Sequence, residues 1–252
     1  MSNSIIAASA EVGEGTRYGN FCVFGEKVKI GRGCLIGHNV IIHDEVAIGD
    51  NVRIDDGTVI GKLPMKAANS AVTRDQMLPA TVIGSDCIIG THVIVYRGAD
   101  IGRKVLIADL STVRENVAIG DFTIVGRGVA IENFCTIGRY CKLETNVYIT
   151  AYSELEDRVF VAPCAATSND NFVGRTEERF KHFKGVIVKR GGRIGVNATI
   201  LPGKTVGADG LVAAGALLTA DCPDKTIMVG VPAKPFREVP EEQLLDNQGW
   251  ED

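Results

Sequence analysis

The chain has 252 residues, 45% hydrophobic and 23% charged, which suffices for a buried core and excludes a disordered chain. A formal charge of -4, with Lys and Arg at 27 against Asp and Glu at 31, argues against a duplex nucleic-acid binder. The 29 glycines, seven cysteines and single tryptophan predict a core of small aliphatic residues and frequent turns.

The N-terminus, MSNSIIAASAEVGEG, lacks the charged segment and apolar run of a signal peptide. No stretch of about 18 apolar residues follows it anywhere, so a cytoplasmic protein without membrane contact is expected.

From Val12 the aliphatic residues keep a period of six: Tyr18, Phe24, Ile30, Ile36, Ile42, Ile48, Ile54 and Ile60. The series resumes at Ile83 and runs unbroken to Val161, then again from Val188 through Ile194, Ile200, Val206 and Val212 to Leu218. Six helical steps of about 100° would scatter these residues round a helix, and a plain strand has a period of two. Glycine often follows the aliphatic, as at Gly31, Gly37, Gly90 and Gly138, marking a bend. The chain must therefore coil as short strand, turn, short strand. Four positions after each aliphatic comes a second small residue, and Cys22, Cys34, Cys87, Cys135 and Cys141 fall in that slot. They are expected inside, as compact hydrophobes.

Two segments interrupt the series, about 61–82 and 167–187. The first carries Lys62, Lys66 and Arg74 beside Pro64, cations suited to a diphosphate. The second, with TSNDNFVGRTEERFKHFKG, carries Asp170, Arg175 and Arg179 among Phe172, Phe180 and Phe183. Interruptions of a repeat are where function is usually carried. The remainder, 221–252, leaves the register, and PEEQLL predicts a short helix capping the last coil.

This pattern resembles the hexapeptide-repeat family. The resemblance implies an all-β, left-handed parallel β-helix over 1–220, of about ten triangular coils at about 4.8 Å each. Handedness rests on the resemblance alone, since ordinary parallel crossovers are right-handed. The segment from Cys141 to Arg237, with TSNDNF, IGVNATILPG and VGVPAKP, is similar to the nucleotide-sugar N-acyltransferases of that family, above all to bacterial enzymes acetylating a dTDP-linked 3-amino-3,6-dideoxyhexose. It implies a homotrimer, with acetyl-CoA or another acyl-CoA as co-substrate, a nucleotide-linked amino sugar as acceptor, and no metal.

On the same grounds Gly195, Ala198, Ala213, Ala214 and Gly215 would form a smooth wall for the pantetheine arm of coenzyme A, with Lys234 and Arg237 near its phosphates. Asn169 stands where related O-acetyltransferases carry histidine, so it would orient an amine nucleophile without an obligatory protein base. Asn133 and Glu144 would contact the amino sugar from hexads near the second insert. An O-acetyltransferase acting on a sugar or serine is the nearest rival, and a non-catalytic trimeric scaffold a rival of another class. A zinc-dependent carbonic anhydrase on this scaffold is disfavoured by four scattered histidines.

Overall fold

The computed structural model describes residues 3–73 and 76–250. Nearly every strand is two residues long and pairs in parallel with the strand one coil on: Ile5 lies beside Val23, and Val113 beside Ile131. The outcome is a three-sided prism. Its first face stacks eleven strands, from Ile5–Ile6 to Leu217–Leu218, its second ten, from Glu11–Val12 to Thr205–Val206, and its third twelve, beginning at Arg17–Tyr18.

From Phe24 onward each hexad aliphatic is buried, whereas Val12 and Tyr18 at the open first end are exposed. Ile42, Ile60, Ile89, Ile107, Ile131 and Ile149 are fully buried in one continuous core, where each side chain contributes about 1.5–3 kcal/mol by leaving water. The small slot is also inward, and it carries a hydrogen-bonding device. Thr58, Ser111 and Thr123 donate their hydroxyls to the carbonyls of Gly90, Gly126 and Gly138. Cys22, Cys34, Cys87, Cys135 and Cys141 point their Sγ at the equivalent carbonyls, 3.1–3.2 Å away. All five are buried. Burial pushes the Cys135 thiol up to about 12 and the Cys141 thiol up to about 11.

Glycine at the bends is enforced by stacking. A Cβ on Gly138 would lie 2.6 Å from the Asp157 backbone nitrogen in the next coil.

The coil count exceeds the expected ten at both ends and in the middle. Ile5–Ile6 opens the first face before Val12, and Thr226–Val229 extends the third face beyond Leu218. In the middle, Ala166–Thr167 continues the repeat beyond Val161. Thr167 takes an aliphatic slot because it is β-branched, and its hydroxyl is satisfied by the Tyr148 carbonyl and the Thr150 N–H. Both long loops leave the same corner, between the first and second faces. Ile60 lies beside Val95 and Leu155 beside Val188, so each loop bulges out without breaking the stack.

The expected C-terminal helix does not form. Thr226–Val229 and Lys234–Glu238 make an antiparallel hairpin that extends the third face. Pro240 is followed by two single 3-10 turns, Glu241–Gln243 and Leu245–Asn247, because Leu244 between them is extended and neither turn has a side-chain cap. This tail lies along the prism instead of over its end: Leu245 N–H donates to Asp209 Oδ1 at 3.2 Å, Arg193 donates to Gln243 at 3.0 Å, and Arg158 lies over the Trp250 ring.

Candidate functional site

At the corner shared by both loops the bend residues change character. Elsewhere the residue after the inward aliphatic is mostly glycine or alanine, but here the successive coils carry Tyr96, Arg114, Glu132, Thr150 and Ser168, one above another. The next residues form a second column, Glu115, Asn133, Ala151 and Asn169. A column of polar side chains thus runs up the edge between the two loops.

Arg114 is the centre of this column. Its Nε and Nη2 donate to the two carboxylate oxygens of Glu115, at 2.8 and 3.1 Å. Its Nη1 reaches Glu132 Oε2 at 3.3 Å, and Nη2 also donates to Thr73 Oγ1 at 3.1 Å, which ties the first loop to the edge. The guanidinium lies 5.0 Å from the centre of the Tyr96 ring. Glu115 is 2% exposed and also accepts Asn133 Nδ2 at 3.1 Å; Asn133 is wholly buried, and its Oδ1 has no partner. One arginine thus serves two carboxylates. Burial raises the Glu132 carboxyl above the ordinary range; Arg114 opposes the shift and Glu115 adds to it. Tyr148, one coil on, is raised too, by burial first and the nearby Glu132 charge second.

The second loop closes the other side through Asp170. Its Oδ1 accepts the Phe172 N–H at 2.8 Å, and its Oδ2 accepts the Gly174 N–H at 2.9 Å and Arg179 Nη1 at 3.1 Å. Desolvation works against its charge, but the Gly174 and Phe172 N–H groups and Arg179 outweigh it and hold the carboxyl below its usual value. Between the loops lies an open cleft of about 180 Å³, lined by Glu132, Tyr148, Thr150, Asn169, Arg179 and Phe183 among others. Round Phe183 a second hollow of about 440 Å³ opens against Tyr152, Lys184 and Ile187. Tyr152 stacks on Phe134, with ring centres 5.3 Å apart.

The expected site residues divide accordingly. Asn169, Asp170 and Arg179 meet in the cleft. Asp170 and Arg179 are partners of each other, which makes them a clamp for the loop. Asn133 stands on the right edge, but inside it. Lys62 is farther down, with Nζ 3.3 Å from Tyr96 Oη, while Lys66 and Arg175 are exposed on their loops. Arg74 falls outside the described residues.

Glu144 is a correction: it follows Leu143 at the corner between the third and first faces, away from both loops. Ala198 is another. It fills an inward slot, fully buried in the core, and cannot touch a ligand lying on the prism. Gly195, Ala213, Ala214 and Gly215 do share that third corner; a Cβ on Gly195 would meet the Ala214 nitrogen at 2.5 Å, whereas one on Gly215 meets nothing within 4 Å. Lys234 and Arg237 are exposed on the outer hairpin strand.

Arg114, Glu115, Glu132 and Tyr148 were not singled out from sequence. Their signal was available: from Tyr96 to Ser168, every third bend departs from glycine.

Residues 27–62 match the bacterial transferase hexapeptide (six repeats), and residues 80–108 the hexapeptide repeat of succinyl-transferase. This chain carries transferase hexapeptide repeats. A 2,3,4,5-tetrahydropyridine-2,6-dicarboxylate N-acetyltransferase of Staphylococcus aureus is 45% identical over 58 residues, which are 23% of this chain and 24% of that protein. This chain thus spans about a quarter of the length of the curated relatives it matches.

Among solved structures, an Arabidopsis UDP-N-acetylglucosamine acyltransferase superposes with a TM-score of 0.65 at 18% identity, over 98% of this chain and 76% of that one. A Moraxella catarrhalis UDP-N-acetylglucosamine O-acyltransferase gives 0.51 at 16%, over 99% and 77%. At such identities the likeness shows the fold, a left-handed parallel β-helix. Among the described residues, no helix is long and apolar enough to cross a membrane, and no group of three or more His, Cys, Asp or Glu could hold a metal ion.

Proposed function

We propose that this chain is an acyltransferase that moves an acyl group, acetyl being the expected one, from acyl-CoA to the amino group of a nucleotide-linked deoxyamino sugar. The cleft between the loops carries this reading: it brings Asn169 to the same edge as Glu132 and Tyr148. Strands one coil apart are separated by about 4.8 Å, so Asn169 stands about 10 Å from Glu132 along the edge, room for one sugar ring. The hollow beyond Phe183, with Tyr152 and Lys184, offers an aromatic surface and a cation to a nucleotide.

Direct attack of the amine on the thioester requires the two to be held together and the developing oxyanion to be stabilised. The Asn169 side chain has no partner among the described residues, and its amide is available to hold the acceptor. At the third corner Ala214 and Gly215 are exposed, with open space around Gly215 for a pantetheine arm, and Lys234 and Arg237 are available to its phosphates. The homotrimer of the reading has a suitable surface: the outward positions of the first face, including Val23, Ile41, Val59, Ile94, Ala130 and Leu217, carry no charge, whereas Lys29 and Glu154 mark the second face and Arg53 and Lys142 the third.

Release of CoA thiol is the assay, with acetyl-CoA and a dTDP-linked 3-amino-3,6-dideoxyhexose against its 3-hydroxy counterpart. Turnover selective for the amine is expected. Selective turnover of the hydroxyl compound would make the protein an O-acyltransferase, and no turnover of either would remove the reading.

A further inference from the structure

We propose that Glu132 is the group that recognises the acceptor as an ammonium ion and takes its proton, so that the enzyme makes its own nucleophile. The inference rests on the acyl-transfer reading and goes beyond it, because that reading needs only the orienting amide of Asn169.

Three observations carry it. Glu132 is the carboxylate of the edge column that faces the cleft, with its side chain 24% exposed against 2% for Glu115. It spends only Oε2 on Arg114, at 3.3 Å; Oε1 has no partner among the described residues and is not sealed from the cleft. Finally, Arg114 is already committed to Glu115 through two bonds, so Glu115, Glu132 and Arg114 together carry one excess negative charge at the edge. A half-buried site with one negative charge in excess favours a cation. A hydroxyl acceptor would leave that charge uncompensated, whereas an ammonium group neutralises it.

The same arrangement supplies the base. Burial, with Glu115 adding to it, makes Glu132 hold a proton more readily than an ordinary carboxylate, although Arg114 opposes this. In the first step one N–H proton of the ammonium passes to Glu132, leaving a neutral amine and a carboxylic acid. The nitrogen lone pair then forms the N–C bond at the thioester carbonyl. When the tetrahedral adduct collapses, the C–S bond breaks with its electron pair on sulfur, and the second nitrogen proton ends on that thiolate. Glu132 returns its proton to water, so the balance is amide, free thiol and one released proton.

The titrating and charged groups around Glu132 are Arg114 and Glu115 below it, Tyr148 on the next coil, Cys135 behind it in the core, and the Asp170–Arg179 pair across the cleft. The Cys135 thiol, at about 12, stays protonated through the working range. Asp170 is held ionised. Loss of activity as Glu132 takes up its proton is the expected acid limb of the pH profile.

The test is Glu132→Gln, which keeps shape and one acceptor oxygen, assayed with acetyl-CoA and the dTDP-linked 3-amino sugar from pH 4 to 9. Its kcat/KM should fall by about 100-fold or more, and the acid limb of the wild-type profile should disappear. Calorimetric titration without acyl-CoA should show weakened binding of the amino sugar nucleotide and unchanged binding of its 3-hydroxy counterpart, a difference that a merely structural role would not produce. If the wild type turns over the amine while Glu132→Gln keeps both its rate and its acid limb, Glu132 is not the base and this inference falls alone. If the wild type releases no thiol with any amine, the acyl-transfer reading falls first.

Discussion

Replacing Glu115 by alanine is the sharpest structural perturbation of the edge. It removes the carboxylate that holds Arg114 at 2.8 and 3.1 Å and that accepts the Asn133 amide at 3.1 Å. Arg114 would keep Glu132 and Thr73, but Asn133, whose Oδ1 is already unpartnered, would have no side-chain partner left. Breaking a buried ion pair from one side costs about 3–5 kcal/mol. The remaining partners of Arg114 and its 19% side-chain exposure place the loss near the lower end, about 3 kcal/mol. For a chain of this length that corresponds to a Tm lower by about 6–12 °C.

A stacked repeat need not unfold in one step. Denaturation should therefore be accompanied by amide exchange, which should accelerate first in the coils around Arg114 and Asn133. Glu115→Gln, which retains an acceptor, should lose roughly half as much. A loss below about 1 kcal/mol for the alanine variant would refute the view that this carboxylate is an essential buried partner.

The bends allow a paired comparison: Gly138→Ala forces a Cβ to within 2.6 Å of the next coil and should cost about 1–3 kcal/mol, whereas Gly215→Ala meets open space and pays only for its φ of +67°, about 1 kcal/mol. Thermal melts of the two variants, compared with wild type, check the order. Alkylation of the native protein at pH 8 should modify Cys164, which is exposed, and spare the six buried cysteines; rapid labelling of Cys135, with its thiol near 12, would contradict the packing. Asp170 has its carboxyl lowered from 3.8, so its bonds to the second loop stand at full strength above that value and fade as pH falls through the lower folded one. Asp170→Asn should accordingly speed proteolysis within 171–182 at pH 7, and equal cleavage rates would remove the clamp.

Legibility of the fold in the sequence follows from its repetition. Each inward aliphatic is repeated with a period of six, so Ile42, Ile107 and Ile149 could be placed inside from spacing alone. Thr167 departs from the aliphatic series, although a β-branched threonine fills the same space, whereas Ile6 keeps the period of six one step ahead of Val12. The tail misled for another reason: proline followed by acids suits a helix start, but Leu244 turns extended after three residues, and the tail packs on Asp209 and Arg193 instead.

The site was half legible. Asn169 and its loop stand out as a break in the pattern, and the loop does line the cleft. Glu132 and Arg114 do not break the period of six; they recur with the period of eighteen that three faces impose, which becomes visible once the bends are sorted by corner. Ala198 shows the converse error. A small residue in a repeat is as much a core filler as a wall, and only its phase tells which.

In the proposed complex the acceptor sits on the edge between the two loops, with its amine toward Glu132. A crystal structure of the protein soaked with CoA and the dTDP-linked 3-amino sugar tests it most directly. The amino nitrogen is expected within hydrogen-bonding distance of Glu132 Oε1, with the sugar between Glu132 and Asn169. A sugar bound at another corner of the prism, with the cleft between the loops left to solvent, would contradict it.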